Sequence, residues 1–97
     1  MNTKIKNAFI KVMEDNEIDN SYYSFDGYKE GAVCVVKDSV VKYTVFDAER
    51  ARRYNERSFP NFKDTCLEVI FRITDSNEDY IFLSNLFSEK IGEDIIR

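Results

Sequence analysis

Near the start of the chain, Ile5, Phe9, Val12 and Met13 recur every three or four positions with Lys and Glu between them. A backbone with 3.6 residues per turn gathers such positions into one stripe, so residues 3–18 are expected to form an amphipathic helix. Thr3 would cap it, and the turn-forming run from Asn16 to Ser21 would end it. The period then changes. Tyr22 to Phe25 reads as a short strand stopped at Asp26-Gly27, a dipeptide that readily takes positive φ. Ala32 to Lys37 is rich in β-branched residues and breaks at Asp38-Ser39. From Val40 to Asp47 the pattern alternates, with Val41, Tyr43 and Val45 on one face and Val40, Lys42, Thr44 and Phe46 on the other. So short a break predicts an antiparallel hairpin, with the Val41, Tyr43 and Val45 face toward the core.

Residues 48–58 are dense in charge, with Tyr54 and Asn55 at their centre, which reads as a tight turn and a fourth, exposed edge strand. Helical spacing returns with Phe62, Cys66, Val69, Ile70 and Ile73, a buried stripe over residues 62–74. Asn61 is its expected N-cap, and Asp64 places negative charge in the first turn, where a helix accepts it. Asp75-Ser76-Asn77 interrupts the stripe. Tyr80, Leu83, Leu86 and Phe87 then continue at threes and fours, as a further helix or a bent continuation, with Gly92 expected to stop it. The fold class is therefore α+β: an N-terminal helix, a four-stranded antiparallel sheet, and a C-terminal helix or helix pair packed on one face.

With 97 residues the chain has the length of one domain, spanning residues 1–97, and eight Phe and six Tyr supply its core. No apolar stretch of signal-peptide or membrane-span length occurs, so a cytoplasmic protein with no membrane association is expected. Cys34 and Cys66 sit among apolar residues and read as buried reduced thiols. The net charge of −4 is unevenly spread. Residues 32–63 hold seven basic and four acidic side chains, whereas residues 64–97 hold three and eight. An acidic chain repels nucleic acid overall and attracts a basic protein partner.

The chemistry the chain lacks narrows its function. It has no His, which removes the commonest general base and zinc ligand. The two cysteines are too far apart for a Cys-x-x-Cys pair, and the three glycines, Gly27, Gly31 and Gly92, cannot build a phosphate-cradling loop. The acidic run at residues 75–79 lacks the central Gly and distant Glu of an EF-hand loop. No catalytic residue, cofactor or metal is expected, and the chain reads as a binding protein rather than an enzyme.

Two clusters could carry binding. Arg50, Arg52, Arg53 and Arg57 surround Tyr54, offering forked hydrogen bonds and a stacking face, although pairing of these arginines with Glu49 and Glu56 would make the segment an ordinary solvated turn. Tyr22, Tyr23 and Tyr28 lie beside Asp26 and Glu30, and alternation cannot bury all three rings.

Val33-Cys34-Val35, Tyr43-Thr44-Val45-Phe46, Glu49-Arg50, a polar strand ending at Phe59 and a helix carrying Thr65-Cys66-Leu67 follow one another between residues 32 and 67. This order resembles a group of small bacterial immunity proteins that neutralise secreted polymorphic toxins, including those of contact-dependent and LXG-type systems. Such proteins often carry Trp where this chain has Tyr43, and Gly where it has Ala51. The resemblance covers about a third of the chain. It implies an immunity protein that binds a cognate toxin domain, such as a basic nuclease, and blocks its active site or substrate access. The partner-binding residues then expected are Asp47, Glu49 and Arg50 at the end of the third strand, Tyr54 in the turn, and Tyr22, Asp26 and Tyr28 near the first strand. The alternative is a small regulatory or adaptor module, binding RNA through Arg50 to Arg57. Oligomeric state stays open, since an edge strand can pair with a copy of itself or with a partner.

Overall fold

Helical and extended segments fall in the order that the periodicity predicts. The computed structural model describes residues 2–96, with side chains described up to residue 92. The elements are α1 (Thr3–Asp15), a single 3-10 turn (Asn20–Tyr22), β1 (Tyr23–Ser24), β2 (Val33–Ser39), β3 (Lys42–Glu49), β4 (Arg52–Phe59), α2 (Phe62–Ile73) and α3 (Asn77–Ile96). The fold is α+β, one sheet in the order β1-β2-β3-β4 covered by helices on one face.

Asn2, not Thr3, caps α1: its side-chain carbonyl accepts the Ile5 amide at 3.1 Å, which places Thr3 inside the first turn. Asn16 ends the helix by turning its amide back to the Val12 carbonyl at 2.8 Å, so Ile18 packs on the core from the following loop. Asn61 caps α2 as expected, accepting the Asp64 amide at 2.8 Å. Thr74 to Ser76 separate α2 from α3, so the C-terminal part is a pair of helices rather than a single bent one. Gly92 does not stop α3, which runs on to Ile96.

Two details of the sheet depart from the sequence pattern. The sheet is mixed rather than wholly antiparallel, because β1 pairs with β2 in parallel, Tyr23 opposite Val33 and Ser24 opposite Cys34. Parallel neighbours ordinarily need a crossover of about a dozen residues or more. Here residues 25–32 suffice because β1 is two residues long and the chain retraces only about 7 Å, at roughly 3.3 Å per residue. The second departure is the hairpin tip. Asp38 and Ser39 belong to β2 across a register shift, and Val40 and Val41 form the turn, 89% and 71% exposed. Val41 is therefore not a core residue, whereas Tyr43 and Val45 face the helices as expected.

Phe9 is the centre of the main core. Its ring meets Tyr23 and Phe25 edge-on at 5.1 Å each and Phe87 at 6.0 Å, so one α1 residue joins β1, the loop after it and α3. Each such pair adds about 0.5–1.5 kcal/mol to the burial itself. Val12, Met13, Val35, Val45, Cys66, Val69 and Ile70 fill the space between helices and sheet. A second, smaller cluster of Ala32, Cys34, Phe46 and Ala48 is buried apart from it.

Candidate interaction surface on the open sheet face

The second cluster marks the sheet face that carries no helix. Strand alternation sends Val33, Val35, Tyr43, Val45 and Phe59 to the helices and leaves Cys34, Val36, Thr44, Phe46 and Ala48 on the other side. Phe46 is nonetheless fully buried. Its cover is Tyr28, whose ring stacks on it with centroids 6.4 Å apart and planes 23° from parallel, and Arg53, whose guanidinium carbon lies 4.5 Å from the ring centroid.

A polar chain continues outward from this stack. The Arg53 guanidinium reaches Glu56 at 3.3 Å and Asp38 at 3.9 Å. Asp38 accepts the Thr44 hydroxyl, whose oxygen is 3.1 Å from that of Ser58. Three strands are thus joined by side chains above the aromatic ring. Arg53 is held in place by an aromatic face and two carboxylates, so little of its rotamer freedom is left to lose on meeting a partner.

Glu30 latches the loop to the β3–β4 turn. Arg50 and Ala51 form that turn with φ of 52° and 62°, both left-handed, a conformation that costs a non-glycine residue about 1–2 kcal/mol. The Glu30 carboxylate accepts the amides of both, from Arg50 at 2.8 Å and Ala51 at 3.2 Å, and also the Tyr28 hydroxyl at 2.8 Å. The hydroxyl of Tyr28 and then the two amides hold the Glu30 carboxyl below its ordinary range. Burial and then the neighbouring Glu30 carboxylate raise the Tyr28 phenol. One acidic residue therefore fixes the aromatic lid and the charged turn together.

The residues expected to bind a partner divide among three places. Tyr28 lies on the open face, and Arg50 joins it through its backbone in the latched turn; Glu49 is exposed at the end of β3, in register with Arg52. Asp47 is on the helical face instead, bonded to Arg72 at 3.3 Å and to Asn55 at 2.8 Å. Tyr54, in β4 rather than in the turn, is opposite Asp47 in register. Asp26 pairs with Lys6 at 3.8 Å on the rim of an open groove of about 560 Å³ between α1 and the β1 segment, and Tyr22 is exposed in the 3-10 turn. The basic cluster is also divided: Arg53 pairs with Glu56, as the residue pattern allows, while Arg57 reaches Glu68 on α2 at 3.4 Å.

Phe46 and Asp38 were in neither candidate cluster, and Arg53 and Glu30, named in the clusters, were not among the residues expected to bind the toxin. Phe46 had a legible signal, since it is an aromatic on the strand face opposite the core. Both thiols are buried, and burial pushes each upward from the ordinary cysteine range. No group of three or more His, Cys, Asp or Glu among the described residues is placed to hold a metal ion. No described helix is long and apolar enough to cross a membrane.

The fold and surface thus define an α+β domain with one helix-covered and one open sheet face. No family model matches the chain, and no curated protein or solved structure matches it either.

Proposed function

We propose that this chain is an immunity protein, one that binds a cognate toxin domain and neutralises it by covering its active site or its substrate path. The observation that supports this reading is the open sheet face, where Tyr28, Phe46 and Arg53 form an ordered aromatic and guanidinium patch fixed by Glu30 and Asp38. Tyr and Arg dominate the energetics of protein interfaces, and a patch whose side chains are already held loses little entropy on docking. The net charge of −4 favours a basic partner such as a nuclease, by speeding encounter.

The test is co-expression with the toxin domain encoded by the adjacent reading frame. A stable complex and protection of the producing cell are expected. Tyr28→Ser and Arg53→Ala, both at surface positions, should each weaken the complex by about 2 kcal/mol, roughly thirtyfold. Absence of both complex and protection refutes the immunity reading, and full affinity in both variants refutes the sheet face as its surface. Salt-sensitive binding of single-stranded RNA, lost in Arg52→Ala, would instead establish the RNA-binding alternative.

A further inference from the structure

The open sheet face leaves unused a second exposed apolar surface, across the molecule between α2 and the β4 edge. α2 buries Phe62, Thr65, Cys66, Val69 and Ile70, so its opposite stripe, including Asp64 and Phe71, faces water. Phe71 is 59% exposed, yet its ring is already held edge-on by Tyr80 of α3, with centroids 5.6 Å apart and planes at 88°. Together with Leu67 and, from β4, Phe59, these two rings line a groove of about 400 Å³. It continues beyond Phe71 into a hollow of about 210 Å³ bordered by Asp75 and Asn77.

The charges around this groove are lopsided. Arg57 is the one described cation lining it, and Glu68 pairs with it at 3.4 Å. Asp64 at one end and Asp75 at the other form no salt bridge among the described residues. Glu78 and Asp79, in the first turn of α3, add negative charge beside Asp75. The Asn61 side-chain amide donates to Asp64 at 2.8 Å and the α2 N-terminus offsets part of its charge, but no described Lys or Arg pairs with it or with Asp75. An ordered aromatic floor between two carboxylates that lack a cationic partner suits an apolar side chain flanked by cations. It repels phosphate backbones and anionic lipid surfaces.

We propose that this groove docks a basic segment of a partner polypeptide bearing one large apolar side chain. That side chain seats against Leu67, Phe71 and Tyr80, and flanking Lys or Arg side chains reach Asp64 and Asp75. The surface lies on the helical side of the sheet and does not depend on the reading given to the open face. A second copy of this chain is a poorer occupant, because two molecules of net charge −4 repel one another.

The experiment titrates the full chain into a short fluorescein-labelled peptide of Lys and Ser with one central Trp, followed by anisotropy. Two control peptides replace Lys by Glu, or Trp by Ala. Saturable binding of the Lys and Trp peptide is expected at low salt, weakening roughly tenfold between about 20 and 300 mM salt as the charges are screened. The Ala and Glu peptides should each bind at least roughly tenfold more weakly. Phe71→Ser, at an exposed position, and Asp75→Lys should each weaken the Lys and Trp peptide by a similar factor, whereas Val40→Ser, at the 89% exposed tip of the β2–β3 hairpin, should leave it unchanged. Absence of saturable binding overturns the proposal, as does equal affinity for the Glu peptide or indifference to Phe71→Ser. Sedimentation showing a dimer of this chain that Phe71→Ser dissociates would also overturn it, because the occupant would then be a second copy.

Discussion

Phe46→Ala tests whether the open face is a structural part of the molecule or an ordinary solvated surface. Truncating a buried Phe to Ala costs about 3–5 kcal/mol, and the position within that range depends on how far the surroundings collapse into the space left. Phe46 is fully buried, but its cover consists of the Tyr28 ring and the Arg53 guanidinium, two side chains that can settle onto the shortened residue. The expected cost is therefore at the lower end, about 3 kcal/mol, which includes the ring stacking and a cation–π contact of about 0.5–1 kcal/mol. Phe9→Ala is the reference. Its ring is enclosed by Tyr23, Phe25 and Phe87, residues of two strand-side segments and a helix that cannot close in, so about 5 kcal/mol is expected there.

Urea denaturation followed by circular dichroism measures both, with the wild-type slope as the check on two-state behaviour. For a chain of 97 residues, 1 kcal/mol moves the midpoint of thermal unfolding by about 4–8 °C, so Phe46→Ala should lower it by roughly 12–24 °C. A loss below about 1 kcal/mol would show that Tyr28 and Arg53 do not bury Phe46 in solution, and would remove the basis for an ordered docking patch. Equal losses for Phe46 and Phe9 would refute the argument from collapse.

Ala51→Gly should stabilise the fold by about 0.5–1 kcal/mol, because Ala51 sits at φ 62° and the relief of strain exceeds the added unfolded-state entropy; thermal unfolding reads the gain. Glu30 should give the β3–β4 turn an acid transition. Its folded pKa is depressed, so its contribution is complete above the ordinary value of 4.5 and is lost as pH falls through the lower folded value. The amide resonances of Arg50 and Ala51 should therefore move only below about pH 4.5, and Glu30→Gln should abolish that movement. Arg72→Ala should cost about 2–3 kcal/mol in urea denaturation, since the side chain is 12% exposed and binds Glu68, Asp47 and the Asn55 carbonyl at 2.8, 3.3 and 2.6 Å. Asp47→Asn should cost under about 1 kcal/mol, its carboxylate being 40% exposed.

Period carried the elements and the main core into view because helices and strands impose spacings of 3.6 and 2 on whatever they bury. Phe9, Val12 and Met13 on α1, Tyr43 and Val45 on β3, and Cys66, Val69 and Ile70 on α2 all lie where that spacing puts them. Turn chemistry was a poorer guide. Asp38-Ser39 has turn composition, yet Asp38 is held within β2 by Thr44 and Arg53, and two valines form the tip instead. The parallel β1 was hidden because a two-residue strand has no period of its own. The surface patch was hidden for a related reason: Tyr28 reaches Phe46 only through the path of residues 25–32, where Gly27 and Gly31 take φ of 106° and 77°. Nothing in the spacing of tyrosines specifies where such a loop returns.

That loop also explains how an uncovered sheet face can be ordered. An open face would ordinarily bury nothing, but Glu30 binds the Tyr28 hydroxyl and the amides of Arg50 and Ala51 at once, so the lid over Phe46 and the left-handed turn stand or fall together. A partner that contacts the turn therefore also acts on the aromatic patch. The groove at Phe71 has no such latch; its order comes from Tyr80 and its selectivity from carboxylates in solvent. Added salt should accordingly weaken contacts at the groove far more than contacts at the sheet face, where burial of aromatic surface dominates. This difference separates the two surfaces even when a single partner uses both.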